Sequence, residues 1–314
     1  MLQQQQLITA LKNNVSQAII GKEDAIELAL IALLCRGHVL IEDVPGVGKT
    51  TLASALARSL DCSFRRIQFT PDLMPSDVTG FTMVNLRTGD MEYREGAVMS
   101  QIVLADEINR TSPKTQSALL EVMEEHQVTV DGVTHPLPEP FMVLATQNPS
   151  EFAGTYPLPE AQVDRFFLRI RMGYPTIEQE MDVLERYSST VSPLLQLQPV
   201  CSAQEVLAMQ GMVTTIYCSP EVRSYVAQLA AATRTHPALQ LGASTRCAIA
   251  LIHAAQACAL LDGRDYILPD DVQRMALPVV CHRLVLHPES RMKGVTGEQV
   301  MQDILHSVRV PVRL

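Results

Sequence analysis

The sequence predicts an α/β fold with a parallel sheet, followed by a smaller, mainly helical domain. Three observations carry that reading. The first half alternates short apolar runs with helical patterns, as a sheet with crossover helices does. A glycine-containing turn joins an apolar strand at 38–42 directly to an Ala/Leu-rich helix at 50–60. From about Ile177 onward β-branched runs thin out and helical periodicity takes over.

Along the chain, Lys22–Cys35 reads as a helix, His38–Glu42 as a strand and Thr50–Leu60 as a helix. Phe64–Phe69 and Gln101–Ala105 are the next strands. Ser112 followed by Pro113 is an N-cap and first-turn pair that opens a helix through about Glu125. Phe141–Thr146 and Phe166–Ile170 complete a five-stranded core. Two hairpins attach to it. Gly80–Glu95 turns near Thr88-Gly89-Asp90, and Gln127–Leu137 turns at Asp131-Gly132, a strong two-residue turn signal. The pattern changes at 173–176, which divides the chain into residues 1–174 and 175–314.

Composition narrows the function classes. The 314 residues are 47% apolar, and 34 acids against 25 bases leave a charge of −9. The whole-molecule field therefore attracts neither nucleic acid nor anionic membrane. With no Trp and seven each of Phe and Tyr, stacking platforms for single strands are scarce. Seven widely spaced cysteines without a CxxC pair point to reduced thiols and a cytoplasmic protein. The opening MLQQQQLITALKNN lacks the basic-then-apolar order of a secretory signal. The longest apolar stretches, Ala25–Cys35 and Cys247–Leu261, are interrupted and fall short of the ~18 residues a spanning helix needs.

The strongest local signal is Val39–Thr50, a strand, a glycine turn and a helix opening with Lys-Thr. In such a loop, here Pro45, Gly46, Val47, Gly48, Lys49, Thr50 and Thr51, backbone N–H groups and the helix N-terminus converge on phosphate oxygens. Lys49 would reach the β- and γ-phosphates and Thr50 would hold Mg²⁺. Asp43 stands where the strict phosphate-loop pattern begins with Gly. The apolar run 102–105 ends in Asp106 and Glu107. Asp106 suits the Mg²⁺ shell and Glu107 the orientation of an attacking water. Asn148 follows another apolar strand and, if that strand neighbours the loop, would align water and sense the γ-phosphate; taken alone it reads as a turn Asn before Pro149. Arg165 offers a cation outside the sheet. Arg246 lies in the first turn of a helix capped by Ser244, where a cation opposes the helix dipole unless an anion is near. A γ-phosphate or an ordinary salt-bridge partner would serve equally well.

Together these residues resemble the MoxR family of AAA+ ATPases. The likeness rests on IEDVPGVGKT, TPDLMPSDVTG, ADEINRTSPKTQSALLEVMEE, ATQNP, TYPLPEAQVDRF and GAST before Arg246, and covers most of the chain. It implies a P-loop αβα sandwich with a smaller all-α lid. It implies Walker A roles for Lys49 and Thr50, Walker B roles for Asp106 and Glu107, and sensor 1 for Asn148. Arg165 resembles the arginine finger that acts on a neighbouring subunit, and Arg246 the sensor 2 arginine of the lid. Ile20 and Gly21 resemble the segment that contacts adenine. The family further implies Mg²⁺-dependent ATP turnover in a ring, usually a hexamer. That turnover drives chaperone-like remodelling of protein clients or metal-cofactor insertion, commonly with partners carrying a von Willebrand factor A domain. The two hairpins match the helix-2 and pre-sensor 1 insertions of its clade.

Related ring ATPases move DNA, but the hairpin QVTVDGVTHPL presents no Lys or Arg to phosphates, which argues against nucleic acid. A nucleotide switch with little turnover would have no use for Glu107 and Arg165, although slow turnover raised by a partner fits every residue above. A magnesium-chelatase-like subunit is a related alternative.

Overall fold

The computed structural model describes residues 2–148, 154–188 and 192–311. Helix α1 (Leu2–Ala18) buries Ile8, Leu11, Val15 and Ala18, whose three- and four-residue spacing forms one stripe. Helix α2 (Glu23–Leu34) is apolar nearly all round and buried along its length. Its one buried carboxylate, Glu27, is satisfied by Lys12 of α1 at 2.7 Å and by Arg274 from the far end of the chain.

Then follow β1 (Val39–Glu42), α3 (Lys49–Ser59), β2 (Phe64–Gln68), α4 (Pro75–Thr79), and the hairpin β3 (Gly80–Val84) with β4 (Met91–Glu95). Strand β5 (Ile102–Asp106) leads to α5 (Pro113–Glu125), whose N-cap Ser112 accepts the Thr115 N–H. The second hairpin is β6 (Gln127–Val130) with β7 (Val133–Pro136). It turns at Asp131 and Gly132, both left-handed, as a two-residue hairpin turn requires. Strand β8 (Met142–Gln147), the short helix α6 (Glu160–Val163) and β9 (Leu168–Ile170) complete this half.

Five strands form one parallel sheet in the order β2-β5-β8-β1-β9. Side chains alternate across it. Val39, Ile41, Ile102, Leu104, Met142 and Leu144 point to the face covered by α1–α3. Leu40, Val103, Ala105, Val143 and Ala145 point to the face covered by α5. Both faces are apolar, as a parallel sheet demands.

The second half comprises α7 (Ile177–Tyr187), α8 (Pro193–Gln196), α9 (Ala203–Val213), α10 (Pro220–Thr235), β10 (Leu239–Leu241), α11 (Thr245–Leu261), α12 (Pro269–Val280), β11 (Val285–Leu286), α13 (Pro288–Met292) and α14 (Gly297–Ser307). Thr176, Ser202, Ser219, Ser244 and Thr296 each cap a helix by accepting the N–H three residues on. Helix α11 is the centre of this region, with Cys247, Leu251, Ala254 and Cys258 buried. The apolar core on the first face of the sheet runs without a break into α9–α12 and α14.

The helical region differs from the all-α expectation in one respect. Strands β10 and β11 pair antiparallel, Leu239 with Leu286. Segments of three and two residues are too short for an alternating pattern to declare itself. Among the described residues, no helix is long and apolar enough to cross a membrane.

Candidate functional site

At the C-terminal end of β1 the chain turns through Gly46 and Gly48, with φ of +85° and +93°, conformations that L side chains adopt only with strain. Helix α3 begins immediately at Lys49. Pro45, Gly46, Gly48, Lys49, Thr50 and Thr51 line a cavity of about 380 Å³, together with Arg66, Gln68, Asp106, Glu107 and Asn148. An ammonium group, two hydroxyls and the amides of a helix N-terminus fit a polyphosphate. The hard oxygens of Thr50 and Asp106 fit Mg²⁺. Lys49 Nζ donates to the Asp43 carbonyl at 2.8 Å.

A second cavity of about 250 Å³ shares Gly46, Gly48 and Thr51 with the first and is walled by Ile19, Ile20, Val47, Val183 and Tyr187. Its apolar walls beside the phosphate loop suit a nucleotide base. Ile20, which the family resemblance puts against adenine, lines this cavity, and so does Val47, expected only as part of the phosphate loop. Val183 and Tyr187 of α7 are additions that no local motif announces. Gly21 does not line this cavity. It has φ +65°, and a Cβ there would lie 2.1 Å from Gln179 Cδ, so its place is to let α7 approach.

Asp106 ends a fully buried strand. One carboxylate oxygen accepts the Thr146 hydroxyl at 2.6 Å, and the other accepts Arg66 Nη2 at 2.5 Å and Nε at 3.1 Å. The same Thr146 oxygen accepts the Glu107 N–H at 2.9 Å, so one hydroxyl orders both acids. Glu107 has φ +57°, an uncommon conformation for a non-glycine residue. Its carboxylate accepts Gln68 Nε2 at 2.7 Å and lies 3.4 Å from Arg110 Nε. Arg66 and Gln68 are site residues that sequence reasoning missed. The register of β2 on β5 sets Gln68 beside Asp106. Asn148 is buried at the end of β8; Pro149 lies outside the described residues.

The departure at Asp43 has a structural reason. Its carboxylate accepts the N–H groups of Val44 at 2.8 Å, Met172 at 2.6 Å and Gly173 at 2.5 Å. From the other side, Lys22 Nζ donates to the carbonyls of Met172, Gly173 and Tyr174 at 2.7–3.2 Å. An acid and a base thus clamp the backbone between β9 and α7 against the base of the phosphate loop. A glycine at position 43 would supply none of the three acceptor contacts.

Arg165 and Arg246 are not in the phosphate cavity. They lie at the opposite end of the sheet, where Phe167 N–H bonds to the carbonyl of His38, just ahead of β1 and β9. Both reach Glu124 in the last turn of α5, Arg165 at 3.1 Å and Arg246 at 2.6 Å. The hydrogen bond from Arg246, reinforced by the charge of Arg165, holds the Glu124 carboxyl below the usual carboxylate range. His38 fixes this corner. Its Nδ1 accepts the Val143 N–H and its Nε2–H donates to the Met123 carbonyl, both at 3.0 Å. Burial pushes its pKa down to about 4. The salt-bridge reading of Arg246 therefore holds within one chain: its anion is Glu124. Five residues of strand at ~3.3 Å each put roughly 15 Å between this corner and the phosphate loop.

Comparisons with known proteins place the chain in a family. Residues 38–168 match the "ATPase family associated with various cellular activities (AAA)" and residues 231–304 match the AAA lid domain. The chain is 40% identical to Chaperone MoxR1 of Mycobacterium tuberculosis, over 95% of its own length and 80% of that protein. The chain belongs to the MoxR family of AAA+ ATPases. Protein MoxR of Paracoccus denitrificans is 31% identical over 86% of each chain. A crystal structure of a candidate ATPase from Cytophaga hutchinsonii superposes with a TM-score of 0.93 at 40% identity, covering 99% of this chain and 96% of that one. The MoxR-family fold expected from the sequence, a parallel five-stranded sheet and a helical lid region, is the fold observed.

Proposed function

We propose that this MoxR-family chain hydrolyses ATP with Mg²⁺ at a site completed by a neighbouring copy, and that turnover drives remodelling or maturation of protein clients. The observation that carries it is the separation of Arg165 and Arg246 from Lys49 by the length of the sheet. No side chain spans that distance, so cations at one end serve phosphates at the other end only across a head-to-tail contact. Contacts of that kind close into a ring where the rotation between copies closes; a hexamer is the expected number from the family resemblance, as is a partner with a von Willebrand factor A domain.

In this reading Ile20 and Val47 hold the base. The loop amides from Gly46 to Thr51 and the Lys49 ammonium, released from the Asp43 carbonyl, hold the β- and γ-phosphates. Thr50 and Asp106 would hold Mg²⁺, which when bound supplies neutralising charge across the β- and γ-phosphates. Glu107 orients the attacking water and takes its proton, and Asn148 positions that water from the neighbouring strand. The neighbour's Arg165 and Arg246 turn from Glu124 to the charge that develops on the γ-phosphate.

Protein clients are favoured over nucleic acid because Gln127–Leu137 carries no cation and Asp131 stands at its tip. The name Chaperone MoxR1 borne by a relative points the same way. A cytoplasmic location and the division into residues 1–174 and 175–314 belong to the same proposal. The Asp43–Lys22 clamp fixes the backbone at residues 172–174, where the two parts of the chain meet.

The test mixes two inactive variants. Lys49→Ala keeps its arginines, and Arg165→Ala keeps its phosphate loop. If sites are shared, equal mixing restores activity at about a quarter of the interfaces of a head-to-tail ring. A mixture as inactive as its parts would contradict the proposal.

A further inference from the structure

We propose that Arg283 of the lid is the positioning residue for Arg165, holding the finger where a neighbouring copy's nucleotide can meet it. The inference rests on the reading that Arg165 serves that neighbour.

Arg283 is a buried arginine with a side chain only 4% exposed. A guanidinium is removed from water only where its donors are matched. Its partners sit on either side of Arg165. Nε lies 2.7 Å from Asp164 Oδ1, close in distance though not aligned as a straight hydrogen bond. Nη2 donates to the carbonyls of Phe166 at 2.7 Å and Asp164 at 3.3 Å. Nη1 donates to the Val279 carbonyl of α12 at 2.5 Å, which ties the fork to the helix that precedes it. The neighbouring His282 adds Nε2 to the Phe166 carbonyl at 3.1 Å. From the start of α11, the Ser244 hydroxyl reaches the other Asp164 oxygen at 3.4 Å.

The backbone on both sides of Arg165 is thus held by the lid. The Arg165 side chain itself is about one-third exposed and held at Glu124. Phe166 is fully buried beneath this contact, so the finger projects from an anchored point. Placement matters here because a misplaced cation loses most of its effect on developing charge. A movement of the lid relative to the sheet would carry the finger with it.

Arg283→Lys keeps the charge and removes the fork, since a single ammonium cannot serve acceptors on three sides. The variant should bind a fluorescent ATP analogue as the parent does, because its own phosphate loop is remote. Its KM for ATP should stay near the parent's while kcat falls by about tenfold to a hundredfold. Mixed with Lys49→Ala, it should recover activity as Arg165→Ala does in the same mixture. Asp164→Asn, which weakens the pair from the other side, should show the same pattern more mildly.

An Arg283→Lys protein that keeps its parental kcat would overturn the proposal. So would one that binds nucleotide yet fails to recover with Lys49→Ala while Arg165→Ala recovers. Should Arg165→Ala itself fail to recover, the shared site is wrong and Arg283 falls with it. If Arg283→Lys binds no nucleotide because it does not fold, Asp164→Asn decides by the same criteria.

Discussion

Arg246 donates to Glu124 at 2.6 Å across the gap between the lid and the last turn of α5. The same carboxylate takes Arg165 at 3.1 Å, so one acid gathers both cations that the family resemblance assigns to ATP chemistry. All three side chains are about one-third or more exposed, and the pairing is therefore weak enough to be exchanged. In the proposed shared site, a neighbour's phosphate would be the more highly charged partner.

Loss of the Lys49 ammonium removes the one flexible cation of the phosphate loop. Lys49→Ala should abolish ATP binding in a calorimetric titration, with the fold retained by circular dichroism. Unchanged ATP affinity would show that the loop is not the phosphate site.

Glu107→Gln keeps the hydrogen bond to Gln68 but removes the base. It should bind ATP normally and hydrolyse it at least about tenfold more slowly, the order expected for loss of a positioned general base. An unaltered rate measured by phosphate release would take Glu107 out of the reaction.

Three backbone N–H groups depend on the Asp43 carboxylate. Asp43→Ala should cost about 3 kcal/mol of stability in urea titration, from buried donors left without an acceptor. Asp43→Asn, which keeps one oxygen, should cost less. Equal stability of Asp43→Ala and the parent would show that the carboxylate does not hold this junction.

His38 must stay neutral because its Nδ1 accepts the Val143 N–H. Its folded pKa is about 4 against an ordinary 6.5, so the unfolded chain takes up a proton that the folded chain refuses. Its contribution to stability is full above pH 6.5 and is lost as pH falls toward 4, by up to ~3 kcal/mol. Half-buried His282, also held well below its ordinary value by desolvation, acts in the same direction. Unfolding free energies measured across that window should fall more steeply for the parent than for His38→Gln. Parallel curves would contradict the assignment.

How much of this was legible in the sequence follows from the range of each interaction. The phosphate loop, the acids after β5 and the turn at Asp131-Gly132 are local: each is a few consecutive residues whose chemistry dictates their conformation. Arg66 and Gln68 are not. They join the site only because β2 pairs with β5 across 38 residues of chain, and a mostly polar edge strand looks the same wherever it docks. The Glu124–Arg246 pair spans 122 residues and Arg283–Phe166 spans 117, so no spacing could announce them. Asp43 looked like a departure from a pattern, because its three partners include two amides from residues 172–173. Helix α1 opens on a glutamine run that weakens its apolar stripe. The ribbon β10–β11 is too brief to read.

Everything proposed for Arg165 and Arg246 requires a site shared between copies. The most direct test of that sharing is the ATPase rate per protomer across protein concentration, with Glu107→Gln as the blank and light scattering to report mass. A rate per protomer that rises with concentration, in step with assembly, is the predicted result. Full, Glu107-dependent turnover from a chain that scatters as a monomer would contradict it.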